Sequence, residues 1–358
     1  MTLTDSTDRE DLPVNEAVAY AEQVNARRVI NGEDDVVQLY PIIHKFAWDA
    51  YLAGNANHWL PTEIAMQKDI EQWRSDSVLT EDERHVVKMA LGFFTTADSI
   101  VANNLVLAVY KHISSPECRM YLLRQAYEEA IHTHAYQYIV ESLGLNEAEI
   151  FTMYQRIESI YDKDNFVSDL VNDILDPNFK TGNLAADQVF LENLIDFYVI
   201  MEGIFFYSSF AAMLSFRRRN LLPGTAEQFQ YIMRDESMHM NFGIDMINQM
   251  VQEQPELWTE TFQKRISNKL CVAAELEEAY AHKLMPRGIL GLNAESFQDY
   301  TRYVADRRLQ AINLSPRFKV KNPFPWMSEQ VDLTKSKNFF ETRVTEYQTG
   351  GALEWDDF

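Results

Sequence analysis

Apolar residues along most of the chain recur at intervals of three and four, and the long stretches between glycines and prolines lack the alternation of a half-buried strand. Residues 79–113, "LTEDERHVVKMALGFFTTADSIVANNLVLAVYKHI", open on a helix-start signal, with Thr80 as N-cap and Glu83 three residues on. They then run without a breaker for about eight turns. Three more long helices are predicted, at about 118–143, 187–219 and 225–252. Each is apolar over more of its circumference than a surface helix, which predicts the centre of a bundle. With only 12 glycines and 11 prolines, no Gly/Ser linker and no internal repeat, the expected fold is all-α: one domain, residues 1–327, with peripheral helices at both ends. At "NPFPWM" (322–327) two prolines end the helical text, and residues 328–358 read as a flexible acidic tail. The final stretch sets Glu341, Glu346, Glu354, Asp356 and Asp357 against Arg343 alone, so it buries too little apolar surface to offset its ordering entropy.

The 358 residues are 46% hydrophobic, ample for a core, and 54 acidic against 32 basic side chains give a net charge of -22. That charge argues against nucleic acid and against anionic membranes as partners. The one basic cluster, "FRRRN" (216–220), reads as a helix C-terminus complementing its dipole. Two cysteines, Cys118 and Cys271, have no paired spacing, which points away from a disulfide framework or zinc ribbon and towards a reducing, cytoplasmic location. The opening "MTLTDSTDREDLP" lacks the basic and apolar regions of a signal peptide, and no apolar run approaches the roughly 20 residues of a membrane span.

Candidate chemistry is concentrated in the predicted bundle helices. In "RQAYEEAIHTHAYQYIVES" (124–142), Glu129 and His132 stand three apart on one helix face, and the spacing recurs at Glu236 and His239 in "MRDESMHM". One such pair is common on solvated faces. Asp98 and Glu202, however, lie in the middle of two apolar helices, where an unpaired carboxylate is expensive to bury. Four carboxylates and two imidazoles, one carboxylate from each of two helices and a Glu-x-x-His from each of two others, make the ligand set of a carboxylate-bridged dinuclear iron or manganese site. Zinc prefers fewer carboxylates, and calcium does not recruit histidine.

In these motifs the chain resembles the small, radical-generating subunit of class I ribonucleotide reductase over essentially its whole length. "ADSI", "EEAIHTHAY", "MEGIFFYSSF" and "RDESMH" are similar to the ligand motifs of that family in order. The resemblance implies a ferritin-like four-helix bundle whose metal pair is held by Asp98, Glu129, His132, Glu202, Glu236 and His239. It implies that Tyr136, four residues past His132 and about 40° around the helix, is oxidised to a stable radical. Phe206 and Phe210, at i+4 and i+8 from Glu202, are expected to wall that ring in. Trp59 in "NHWLPTEI" resembles the family's relay tryptophan, and Asp235 the aspartate that links it to His132; Tyr231 is a weaker relay candidate, more often a core residue. Tyr347 resembles the tail tyrosine that hands the radical to the large catalytic subunit, where ribonucleotides are reduced. Glu128 and His134 fall off the ligand face and read as solvated or hydrogen-bonded, and Tyr127 and Tyr138 as packing residues.

The resemblance also implies a homodimer and docking to the large subunit through the C-terminal tail. Within the family, a manganese/iron branch has glutamate as first ligand and replaces the radical tyrosine, and a dimanganese branch places a lysine near it. Here Asp98, Tyr136 and Ala102 stand at those positions, which favours two iron ions. A dimanganese pair with a flavoprotein activator uses the same ligands. Other oxygen-activating ferritin-like proteins, such as desaturases, monooxygenases and ligand-binding oxidases, share the ligands but have no reason to keep Tyr136, Trp59 and a tyrosine-bearing acidic tail together. An iron store would be about half as long.

Overall fold

The computed structural model describes residues 18, 21–22, 24–32, 39–104, 108–289 and 291–327, with backbone alone at 98–104 and 167–173. The tail, including Tyr347 and the boundary at 328, lies outside the described residues. Nine longer helices position the site: α1 Lys45–Ala56, α2 Gln67–Trp73, α3 Glu81–Asn104, α4 Pro116–Leu143, α5 Glu158–Leu175, α6 Leu184–Arg218, α7 Pro223–Glu253, α8 Glu260–Leu284 and α9 Ala294–Ala311. Among the described residues there is no strand, as the periodicity predicts. Helices α3, α4, α6 and α7 pack on one another as the central bundle, with α1 against α4 and α7, and α8 and α9 covering α6.

Local signals account for the helix ends. Thr80 Oγ1 accepts from Glu83 N at 3.2 Å while the Glu83 carboxylate accepts from Thr80 N at 2.8 Å, a complete capping box that starts α3. Ser115 caps α4 with Pro116 at its first position, and Gly144, at φ 65°, closes it in the left-handed conformation that glycine adopts without strain. The start of α7 is capped from a distance: Asp69 on α2 accepts from Gly224 N at 2.9 Å and Thr225 N at 2.6 Å. The basic cluster does end α6 and is taken up internally, with Arg217 on Gln230, Arg219 on Glu83, and Arg218 over the Trp326 ring.

Two features of α6 depart from expectation. Its central residues Ile195–Phe205 are π-helical, every one of them buried, and Glu202 lies in this wider turn. By length and composition α6 is also apolar enough to cross a membrane, contrary to the estimate from apolar runs, yet its apolar window is 100% buried inside the protein. It is the core helix of the bundle, which is why it is hydrophobic all round.

Candidate metal centre

The two Glu-x-x-His pairs meet where α4 and α7 face each other. Glu129, Glu202, Glu236 and His239, all buried, offer ligand atoms that lie within 4.8 Å of one another. His132 joins the same cluster, its Nδ1 being 2.9 Å from Glu236 Oε1 and 3.4 Å from Glu129 Oε2. His239 Nδ1 is 3.1 Å from Glu129 Oε1 and 3.4 Å from Glu236 Oε2. Five of the six expected ligands therefore come together. Asp98 lies on α3, but its side chain is outside the described residues.

The donor set fits a metal pair. Both carboxylate oxygens of Glu129 and of Glu236, and Nδ1 of His239, are buried without a hydrogen bond, a costly arrangement that cations would relieve. Burial works against charge on His132, but the carboxylates of Asp235, Glu129 and Glu236 outweigh it and hold the imidazole pKa well above its usual value. Burial likewise raises the Glu129 pKa, and the neighbouring His239 and His132 overcome it, leaving the carboxyl lowered to about 2. The two imidazoles thus hold the Glu129 carboxyl ionised, and the protons they carry take the place that divalent ions would fill.

Around the cluster the outer hydrogen bonds are ordered. Trp59 Nε1 donates to Asp235 Oδ2 at 2.8 Å, and the same oxygen lies 3.3 Å from His132 Nε2, so the expected line from Trp59 through Asp235 to His132 is continuous. Trp59 is 5% exposed, and Tyr231 packs on it at 5.3 Å. Both line a surface cavity of about 380 Å³ with His58, Glu63, Glu227 and Arg234. Tyr136 is buried, its ring stacked on Phe94 at 5.5 Å and 6.0 Å from Phe229. Phe206 and Phe210, expected against the phenol, pack instead on Phe94, each at 5.1 Å, so they stand behind the ring that stacks on Tyr136, and Phe94 and Phe229, which the sequence left unnamed, are its aromatic neighbours.

His134 is exposed, and so is Tyr127. Of the two readings of Glu128, hydrogen-bonded holds and solvated does not: it is 1% exposed and its Oε2 is 2.8 Å from His239 Nε2. Its carbon stem carries the carboxylate off the face of α4 and across to α7. Gln125 was also missed. Its Nε2 donates to Glu202 Oε1 at 2.9 Å, while Tyr198 OH donates to its Oε1 at 3.2 Å, which fixes the amide orientation.

Comparison with known proteins agrees with this geometry. The family model for the ribonucleotide reductase small chain matches residues 36–323. The ribonucleoside-diphosphate reductase subunit beta of Chlamydia pneumoniae is 55% identical over 334 residues, 93% of this chain and 96% of that one. Small chain 1 of Saccharomyces cerevisiae is 30% identical over 329 residues, 91% of this chain and 76% of that one. Among solved structures, the ribonucleotide reductase R2 subunit from Clostridium botulinum superposes with a TM-score of 0.77 at 26% identity, covering 85% of this chain and 94% of its own. With motifs, bundle and near full-length similarity in agreement, the chain belongs to the ribonucleotide reductase small-chain family.

Proposed function

We propose that this chain is the radical-generating subunit of a ribonucleoside-diphosphate reductase, with Tyr136 as the oxidised residue and Trp59 as the exit. The observation that carries the reading is the hydrogen-bonded line from Trp59 through Asp235 to His132, which begins at a surface cavity and ends inside the carboxylate cluster. Other ferritin-like oxidases and iron stores have no use for it. Asp98, Glu129, His132, Glu202, Glu236 and His239 hold the metal pair. When bound, two iron ions would supply, with dioxygen, the one-electron oxidation of the Tyr136 phenol.

The protein residues do the remaining work. Phe94, Phe229, Phe206 and Phe210 keep water and reductants from the phenol, which prolongs the life of an oxidised ring. Asp235 accepts the Trp59 indole N–H, so an acceptor for that proton is already placed if the indole loses an electron. Arg234, 3.0 Å from the other Asp235 oxygen, helps hold that carboxyl ionised: burial raises its pKa, while Arg234, His132 and Trp59 bring it down to about 2. From Trp59 the oxidising equivalent passes through Tyr347 to the large catalytic subunit, to which the acidic tail docks. The subunit works as a homodimer. Asp98, Tyr136 and Ala102 favour iron over manganese, and a flavoprotein activator belongs to the dimanganese alternative. As a test, Trp59→Phe loaded with ferrous iron in air should retain its tyrosyl signal yet give no nucleotide reduction with the large subunit; full turnover in that variant would refute the exit.

A further inference from the structure

The two histidines of the cluster are held from behind in the same way. Asp235 immediately precedes the Glu-x-x-His of α7, and Glu128 immediately precedes that of α4. Each bonds across the bundle, Asp235 to His132 on α4 and Glu128 to His239 on α7. Each is backed by an arginine: Arg234 Nε is 3.0 Å from Asp235 Oδ1, and Arg124 Nε is 3.1 Å from Glu128 Oε1. Both arginines reach the C-terminal turn of α1, Arg234 donating to Asn57 O at 2.5 Å and Arg124 to Gly54 O at 2.9 Å. Gly54 is fitted to this approach, since a Cβ there would lie 3.1 Å from both Arg124 Cγ and Glu128 Oε1.

We propose that Glu128 is the positioning carboxylate of His239, the counterpart of Asp235, and that it sets the affinity of the metal position His239 serves. This rests on the metal-centre reading above. A neutral imidazole has one N–H, and the carboxylate 2.8 Å from Nε2 claims it. The lone pair is then on Nδ1, the nitrogen facing Glu129 and Glu236, and the ring is held in the orientation a metal needs. The two arms differ in their outer partners. Asp235 also accepts from Trp59, an oxidisable indole, whereas Glu128 rests on Arg124 and α1, which serve to anchor it. One arm leads to the surface and the other fixes a ligand.

The test is Mn(II) binding to the full, metal-free chain, with free Mn(II) counted by electron paramagnetic resonance. The chain itself should take up two ions. Glu128→Gln, which keeps shape but not charge, should keep one site unchanged and weaken the other by roughly 10- to 100-fold, the usual effect of losing such a partner. Glu128→Ala should weaken that site at least as much. Two sites of undiminished affinity in both variants would overturn the proposal. So would equal weakening of both sites, the mark of a general packing defect. Failure of the unaltered chain to bind two ions would instead sink the metal-centre reading, and the proposal with it.

Discussion

Gly243→Ala tests the packing behind Glu202. Gly243 lies in the middle of α7, where helix propensity alone predicts that alanine stabilises by about 1 kcal/mol. The structure predicts the opposite sign. A Cβ at Gly243 would overlap Cβ, Cγ and Cδ1 of Tyr198, which is fully buried on the π-helical turn. The near end of the ring has no flexible tip to move aside, so α6 and α7 must separate or the ring must leave its place. Overpacking of this kind costs about 1–3 kcal/mol. A displaced ring also leaves Gln125 Oε1 without its donor, which adds about 1–3 kcal/mol for an unsatisfied buried group. After the helix-propensity gain, the net loss is about 1–5 kcal/mol. Urea unfolding of the metal-free protein reads this directly as a lowered midpoint. In a Tyr198→Ala background the methyl has room, and Gly243→Ala should there become neutral or stabilising, a coupling that a double-mutant cycle isolates. A Gly243→Ala protein about 1 kcal/mol more stable than the parent would refute the reasoning.

Three further outcomes are expected. Glu236→Ala removes the carboxylate that faces Nδ1 of both histidines, so Mn(II) titration should give fewer than two ions per chain; undiminished binding would exclude Glu236 as a ligand. Burial pushes the Asp164 carboxyl up to about 7 against an unfolded value near 3.8, the nearby Lys163 countering only in part. The folded state therefore holds that proton longer, and stability falls by at most about 1.4 kcal/mol per pH unit between those two values. Asp164→Asn should leave the unfolding midpoint unchanged at pH 4 and raise it at pH 8, and an equal effect at both would contradict the assignment. For the tail, a peptide of the last twenty residues should compete with the whole chain for the large subunit through Trp355 and Phe358, with Leu353 beside them. Tyr347→Phe should bind normally, keep its radical and be inactive; removal of residues 338–358 without loss of affinity or turnover would show the tail to be a passive extension.

The periodicity of the sequence was enough to place the starts of the four bundle helices, and the ends of α4, α6 and α7, to within a few residues, because each is long and apolar on most faces; α3 is described as far as Asn104, short of the expected run to 113. Recurrence of Glu-x-x-His was enough to bring α4 and α7 together at one site. What escaped was information carried by neighbouring helices. Phe94 reaches Tyr136 from α3 and Phe229 from α7, and nothing in the α4 text points to either. Glu128 was left as solvated or hydrogen-bonded, with His239 unforeseen as its partner, because its Cβ leaves the ligand face by about 100°, and helical angle says nothing of how far a glutamate can reach. One signal was available: Asp235 and Glu128 occupy the same place before their two motifs, and that symmetry could have assigned the second from the first. The π-helical turn that carries Glu202 has no local signature, since it depends on the packing of the whole bundle against α6.

The central claim is that Tyr136 holds the oxidising equivalent beside a metal pair. It is tested most directly by loading the metal-free chain and its Tyr136→Phe variant with ferrous iron in air, then recording metal content and the electron paramagnetic resonance spectrum of each. Both should take up two metals per chain, since no ligand is lost, and only the unaltered chain should show a tyrosyl radical. An organic radical of equal yield in the Tyr136→Phe protein would contradict the account.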